Sequence, residues 1–290
     1  MKKIFFSFNS DKKLTESLAR KCNAEVGKFI FRNFPDGEAY LRILSEVKNK
    51  KIVFVCRLSQ PDEKILPIYF FCRTAKDLGA KEICFVVPYL AYMRQDKQFN
   101  SGEGITSKYF AQLISSFADE LITVDPHLHR IKNLSDIYSI KTNVLHASEL
   151  ISFWIKKNIL NPVLIGPDSE SKQWVGEIAR NANVPFIVLN KIRNGDTNVQ
   201  VSIPHLEKFN NCTPVLVDDI ISTAHTMIET IYHLKKLRMK KPICIGIHGI
   251  FAGTAFQDLK KAGVKEIITC NTILHRSNKI DVSKLLAEEI

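Results

Sequence analysis

The chain has 290 residues, 45% hydrophobic and 24% charged, a globular composition with room for two ordinary domains. It carries 41 Lys and Arg against 30 Asp and Glu, a formal net charge of +11, yet the basic residues are scattered ("KNKK", "LKKLRMKK", "LKKAG"), so no nucleic-acid partner is expected. The apolar part of "MKKIFF" is too short for a secretion signal and no window has the length of a membrane span, so a cytoplasmic protein without membrane association is expected.

In chain order, "KIVFVC" (51–56) reads as a buried strand, "DEKILPIYFFCRTAKDLG" (62–79) as an amphipathic helix and "EICFVVP" (82–88) as a strand. Next come a helix in "TSKYFAQLISSFA" (106–118), a strand in "ELITVD" (120–125), a helix in "SELISFWIKKN" (148–158) and a strand in "NPVLIGP" (161–167). The second half continues with the helix "SESKQWVGEIARNA" (169–182) and the strands "PFIVL" (185–189) and "TPVLVD" (213–218). It closes with the helix "TMIETIYHLKKL" (226–237) and the strands "PICIGIHG" (242–249) and "EIITC" (266–270). Strands apolar throughout and separated by helices predict parallel sheets covered on both faces. The expected fold class is α/β, with two doubly wound domains divided near "TNVLHASEL" into residues 1–146 and 147–290. The seven cysteines form no CxxC pair and several lie inside apolar runs, as reduced core thiols do.

Ligands of open parallel sheets bind beyond the carboxyl ends of the strands. Read there, the sequence is polar five times: after Pro88, at Asp125, at Asp168, at Lys191 and at Asp218-Asp219. The last is the most informative. In "PVLVDDIISTAHTM" (214–227) an apolar run ends in two carboxylates, passes through Ser222 and Thr223 and enters a helix near Thr226. Unpaired N–H groups at a helix start bind phosphate, and the adjacent acids suit sugar hydroxyls. A plain N-cap would explain Ser222 but not both aspartates.

"VLVDDIISTAHT" resembles the signature loop of type I phosphoribosyltransferases and of ribose-phosphate pyrophosphokinases (PRPP synthetases). Other segments are similar to the synthetase family alone. "FPDGEAYLRI" (34–43) implies an ATP site at Phe34, Asp36, Gly37 and Glu38, and "PYLAYMRQDKQF" (88–99) adds Arg94 and Gln95. "TVDPHLHR" (123–130) implies a magnesium-site histidine at His127, and "GPDSESKQWVGEIA" (166–179) implies a metal-site aspartate at Asp168. "NKIRNG" (190–195) resembles the catalytic loop, giving Lys191 and Arg193. The signature loop gives Asp218, Asp219, Ser222, Thr223, Ala224, His225 and Thr226 to ribose 5-phosphate.

The resemblance implies two similar domains of type I phosphoribosyltransferase type, the first a pyrophosphokinase domain. It further implies diphosphoryl transfer from ATP to ribose 5-phosphate with Mg²⁺, and a homodimer or higher homo-oligomer sharing its ATP site between subunits. On the residues alone, Pro-Asp-Gly is also a turn signal, Lys191 and Arg193 are ordinary loop cations, and His127 with His129 lacks a third zinc ligand. Two other functions fit parts of the pattern: a non-catalytic regulatory paralogue, and a phosphoribosyltransferase using PRPP. The chain departs from the family's common Asp-Thr-Gly-Gly-Thr by placing Ala224 and His225 where glycines are expected. Its loop "KQFNSGEGITSK" (97–108) is unlike the arginine-rich loop tied to phosphate activation, so weak regulation of that kind is expected.

Overall fold

The computed structural model describes residues 1–167, 171–194, 198–202 and 206–290, with backbone alone over 190–194, 198–202 and 206–207. The chain divides into two compact units, Met1–Leu145 with Ser283–Ile290, and His146–Val282. The last eight residues thus belong with the first unit rather than with the half that precedes them.

In the first unit the strands are β1 (Lys3–Phe6), β2 (Glu25–Val26), β3 (Phe29–Asn33), β4 (Ala39–Ile43), β5 (Lys51–Val55), β6 (Glu82–Val87), β7 (Glu120–Val124) and β8 (Lys141–Leu145). Six of them form a parallel sheet in the order β2-β1-β5-β6-β7-β8, and β3 and β4 pair antiparallel as a separate hairpin. Helices α1 (Lys12–Lys21), α2 (Asp62–Asp77) and α3 (Thr106–Ser115) connect them. Strands β5, β6 and β7 are buried almost throughout, which is why they read as unbroken apolar runs. Phenylalanine fills the space under the hairpin: Phe71 of α2 lies 4.8 Å from the rings of Phe6 and Phe54 and 5.0 Å from Phe29.

At the amino ends of these strands sits an ionic cage. Glu120, 2% exposed, meets Lys51 and Lys141 at 2.6 Å each and accepts the Asn143 amide at 3.0 Å, while Lys51 also meets Glu82 at 2.9 Å. Burial would raise the Glu120 carboxyl, but hydrogen bonds from Lys141 and Lys51 outweigh it and hold it at about 2.

The second unit contains α4 (Ser148–Asn158), β9 (Pro162–Gly166), α5 (Lys172–Ala182), β10 (Phe186–Val188), β11 (Asn190–Asn194), β12 (Asn198–Ser202), β13 (Thr213–Ile221), α6 (His225–Lys236), β14 (Ile243–Gly249), α7 (Ala255–Ala262), β15 (Glu266–Cys270) and β16 (Asn278–Ile280). Its parallel sheet runs β10-β9-β13-β14-β15-β16, with β11 and β12 as an antiparallel pair. Adding eight to every strand of the first unit reproduces both sheets, hairpin included. The two units are therefore the same architecture twice, with β13 the counterpart of β5 and β15 that of β7. The closing helix α8 (Ser283–Glu289) packs on α1, where the Cys22 thiol donates to the Ala287 carbonyl at 3.7 Å. No helix among the described residues is long and apolar enough to cross a membrane.

Candidate active site

In the first unit the site residues lie on two loops that leave adjacent strands. After β6 the chain carries exposed Arg94, half-buried Gln95 and buried Asp96. Gln95 Oε1 accepts the Thr106 hydroxyl at 2.9 Å, which ties this loop to the start of α3. After β7, Asp125 takes a left-handed backbone (φ 37°) and its N–H donates to Leu145 at 2.9 Å, turning the chain sharply into Pro126 and His127. The His127 and His129 rings lie 3.9 Å apart, tilted by 60°, with Nδ1 of the first 3.2 Å from Nε2 of the second. Such a contact needs one protonated and one bare nitrogen.

Asp96 and Arg130 join the loops. The Arg130 Nη1 donates to both Asp96 oxygens at 3.0 and 3.3 Å, and the Arg130 backbone N–H donates to Oδ2 at 3.2 Å. The structure thus brings Arg94 and Gln95 together with the loop of His127.

The remaining predicted nucleotide residues sit apart, at the turn of the β3–β4 hairpin. Phe34 and Glu38 close that turn through a 2.7 Å backbone bond, and the Glu38 N–H donates to Asp36 Oδ1 at 3.1 Å. Gly37 has φ 94° and open space around it, so conformation rather than room calls for glycine there. Phe34 is 40% exposed, and the Arg32 guanidinium lies 4.8 Å from its ring and 4.4 Å from that of Tyr40.

In the second unit, β13 is longer than the sequence reading gave it. The strand read over 213–218 runs on past Asp218 and takes in Asp219, because pairing with β14 continues to Ile221 opposite Gly249. Each aspartate is half-buried and braced: Asp218 Oδ1 accepts the Asp219 N–H at 3.0 Å, and Asp219 Oδ1 accepts the Ile220 N–H at 2.7 Å. Ser222 and Thr223 form the turn, Ala224 caps α6, and His225 and Thr226 open the helix. The first helical bond runs from Ile228 N–H to the Ala224 carbonyl at 2.9 Å, so the amides of residues 225–227 have no helical carbonyl behind them. A 12-residue helix adds its positive dipole end. Braced carboxylates beside a ring of amides can hold a polyol carrying a phosphate.

Asp168 lies outside the described residues. Lys191 and Arg193, expected on a loop, have backbones in β11, which pairs with β12; their side chains lie outside the described residues. The cysteines are free thiols, and burial raises those of Cys56, Cys72, Cys84 and Cys244, which makes them inert core groups.

Residues 3–117 match the model of the N-terminal domain of ribose phosphate pyrophosphokinase, and residues 133–284 match the phosphoribosyl transferase domain. The ribose-phosphate pyrophosphokinase of Saccharolobus solfataricus is 31% identical over 281 residues, spanning 94% of this chain and 95% of that one. The chain belongs to the ribose-phosphate pyrophosphokinase family. The Methanobrevibacter smithii ribose-phosphate pyrophosphokinase is 30% identical over 286 residues, 94% of this chain and 95% of its own. In fold, the chain is similar to the crystal structure of phosphoribosylpyrophosphate synthetase from Mycobacterium smegmatis, with a TM-score of 0.85 at 21% identity, over 100% of this chain and 97% of that one.

For a ribose-phosphate pyrophosphokinase the loss of both turn glycines asks for an explanation, and the backbone supplies one. Ala224 has φ 61° and ψ 11°, the left-handed region, so a glycine would be unstrained here. His225 is helical and needs no glycine. The strain at Ala224 is worth roughly 1 kcal/mol. The residue is 9% exposed and belongs to the cluster of Met227 and Ile231, and burying one methyl returns about 0.8 kcal/mol. The terms nearly cancel, so Ala224→Gly is expected to move the chemical-denaturation stability by less than about 0.5 kcal/mol. A gain of 1 kcal/mol or more would mean that the methyl contributes no packing.

Asp96 and Arg130 escaped the sequence reading, although a signal was present. "LHR" occurs at 128–130 and again at 274–276, each time beginning four residues beyond the end of equivalent strands, β7 at Val124 and β15 at Cys270.

Proposed function

We propose that the chain is a ribose-phosphate diphosphokinase, moving the β,γ-diphosphoryl group of ATP to the anomeric hydroxyl of ribose 5-phosphate to give PRPP and AMP. The observation that carries this reading is that both halves match together, the first half to a domain specific to ribose phosphate pyrophosphokinase. A phosphoribosyltransferase reading leaves the loops around Arg94 and His127 without a task, and a purely regulatory reading leaves the braced aspartates without one.

In this reading the amides of residues 222–226 hold the 5-phosphate, and Asp218 and Asp219 accept the ribose hydroxyls. The anomeric oxygen then attacks the β-phosphorus. A bond forms between them, the bond from that phosphorus to the oxygen bridging to the α-phosphate breaks, AMP leaves, and the hydroxyl proton passes to solvent. Arg94 and Gln95, with the Phe34–Glu38 turn, bind the nucleotide, and Lys191 and Arg193 offset charge on the transferring group.

Magnesium fits the donor set, since the candidate ligands offer one imidazole and carboxylate oxygens rather than a closed cage of thiols. A hard cation taking one or two protein ligands and completing its shell with phosphate and water matches that supply. His127 and Asp168 would hold it, and when bound it would offset the negative charge of the triphosphate that otherwise repels the incoming oxygen. The exposed turn at Phe34, with Phe31 also 36% exposed, supports a homodimer or larger assembly in which this turn meets a neighbour's nucleotide. A cytoplasmic location accords with this chemistry.

Purified protein given ATP and magnesium is expected to release AMP only when ribose 5-phosphate is added. AMP release that ignores the sugar, or release of ADP instead, would sink the reading.

A further inference from the structure

We propose that Asp96 and Arg130 are positioning residues: their ion pair fixes the histidine loop and the nucleotide loop of the first unit as one piece. The inference deepens the diphosphokinase reading and rests on it for its catalytic arm.

The argument starts from burial. The Asp96 side chain is 3% exposed, and a carboxylate that deep is unfavourable unless it is fully met by donors. Among the described residues it accepts three hydrogen bonds from two donors of Arg130: Nη1 to each oxygen, and the backbone N–H to Oδ2. Because side chain and main chain of one residue are both held, the contact fixes where the loop goes, not merely that it is near. Arg130 is itself 47% exposed, and its guanidinium lies 5.7 Å from the Phe99 ring, on the same loop as Asp96.

Between the two anchors of the histidine loop, the Asp125 backbone bond to Leu145 and the Arg130 clamp, lie only residues 126–129, both histidines among them. No helix or strand holds this stretch. His127 thus lies inside a stretch clamped three residues on, at Arg130. One residue before Asp96 stands Gln95, tied to Thr106, and two before stands Arg94. A shift of Asp96 moves both halves of the nucleotide site.

The second unit supplies a contrast. At the equivalent place Arg276 lies 4.3 Å from the Phe256 ring and His275 lies 4.5 Å from the Phe251 ring and bonds Asn278 at 2.9 Å and Ser277 at 2.7 Å, so the repeated segment is held there by aromatic packing and neutral local hydrogen bonds. Holding this segment is common to both units. Using a buried carboxylate that shares a loop with Arg94 and Gln95 belongs to the first.

The test uses Asp96→Asn, Arg130→Gln, Arg130→Lys and the double variant in the full chain, with two readouts. Histidine ring signals in two-dimensional NMR report the loop without any turnover. The His127 and His129 signals are expected to move in Asp96→Asn and Arg130→Gln while those of His233 and His275 stay. With ATP, ribose 5-phosphate and magnesium, kcat is expected to fall roughly 10- to 100-fold in Asp96→Asn and Arg130→Gln. KM for ribose 5-phosphate is expected to stay unchanged, the double variant to be no worse than either single, and Arg130→Lys to lie between wild type and Arg130→Gln. Should Asp96→Asn fail to fold, the half-exposed Arg130 variants carry the test. Unmoved histidine signals overturn the proposal, as does a kcat per folded molecule equal to wild type. A wild-type protein inactive in this assay would count against the diphosphokinase reading alone, leaving the NMR arm to decide the clamp.

Discussion

Asp218→Ala is expected to lower kcat/KM for ribose 5-phosphate by about one to two powers of ten, since a hydrogen bond to a charged group is worth roughly 1.5–3 kcal/mol. The effect should fall mainly on KM for the sugar, with KM for ATP unchanged. Two features favour this carboxylate as a hydroxyl acceptor in the proposed reading. It lies within β13, opposite Gly246 of β14, on a rigid parallel ladder, and its Oδ1 is already fixed by the Asp219 N–H at 3.0 Å. A pre-oriented acceptor loses little freedom when a diol arrives. Asp218→Asn, which keeps one acceptor oxygen, should lose less. Steady-state kinetics with each substrate varied in turn decides it, and a loss confined to KM for ATP would place Asp218 elsewhere in the reaction.

Glu120→Gln is expected to lower folding stability near neutral pH by about 3–5 kcal/mol, the usual loss when one partner of a buried ion pair is removed. Lys51 would then be left 13% exposed with Glu82 alone, at 2.9 Å. The pH dependence follows in sign. The folded carboxyl is held at about 2, below the value near 4.3 of an unfolded glutamate, so its contribution is complete above the unfolded value and is lost as pH falls toward the folded one. Denaturant midpoints of wild type and variant should differ by a constant amount above about pH 5 and converge between about pH 4.3 and 2. A gap that persists at pH 2 would show that the cage acts through packing rather than charge.

Much of the architecture was legible because fully buried parallel strands write themselves as apolar runs. "ELITV" and "ICIGI" left little choice, and the acids at the end of "PVLVDD" fall in the later part of β13. Three things were not legible. The extension of β13 past Asp218, through Asp219 to Ile221, contradicts side-chain polarity, because pairing with β14 outlasts the apolar run. The return of α8 to the first unit is a long-range packing choice, invisible to any local pattern. The Asp96–Arg130 pair joins residues 34 positions apart, and "RQDK" reads as a solvated loop until Asp96 is seen to be buried. Ala224 lies between these cases: the motif flagged the missing glycine, but only the backbone angle says that the position is left-handed and the methyl packed.

The account stands on the turn that follows β13, and a crystal structure of the protein with ribose 5-phosphate tests it most directly. The phosphate should accept hydrogen bonds from backbone amides within residues 222–227, with the ribose hydroxyls on Asp218 and Asp219. A sugar phosphate bound elsewhere, with that turn unengaged, would contradict it.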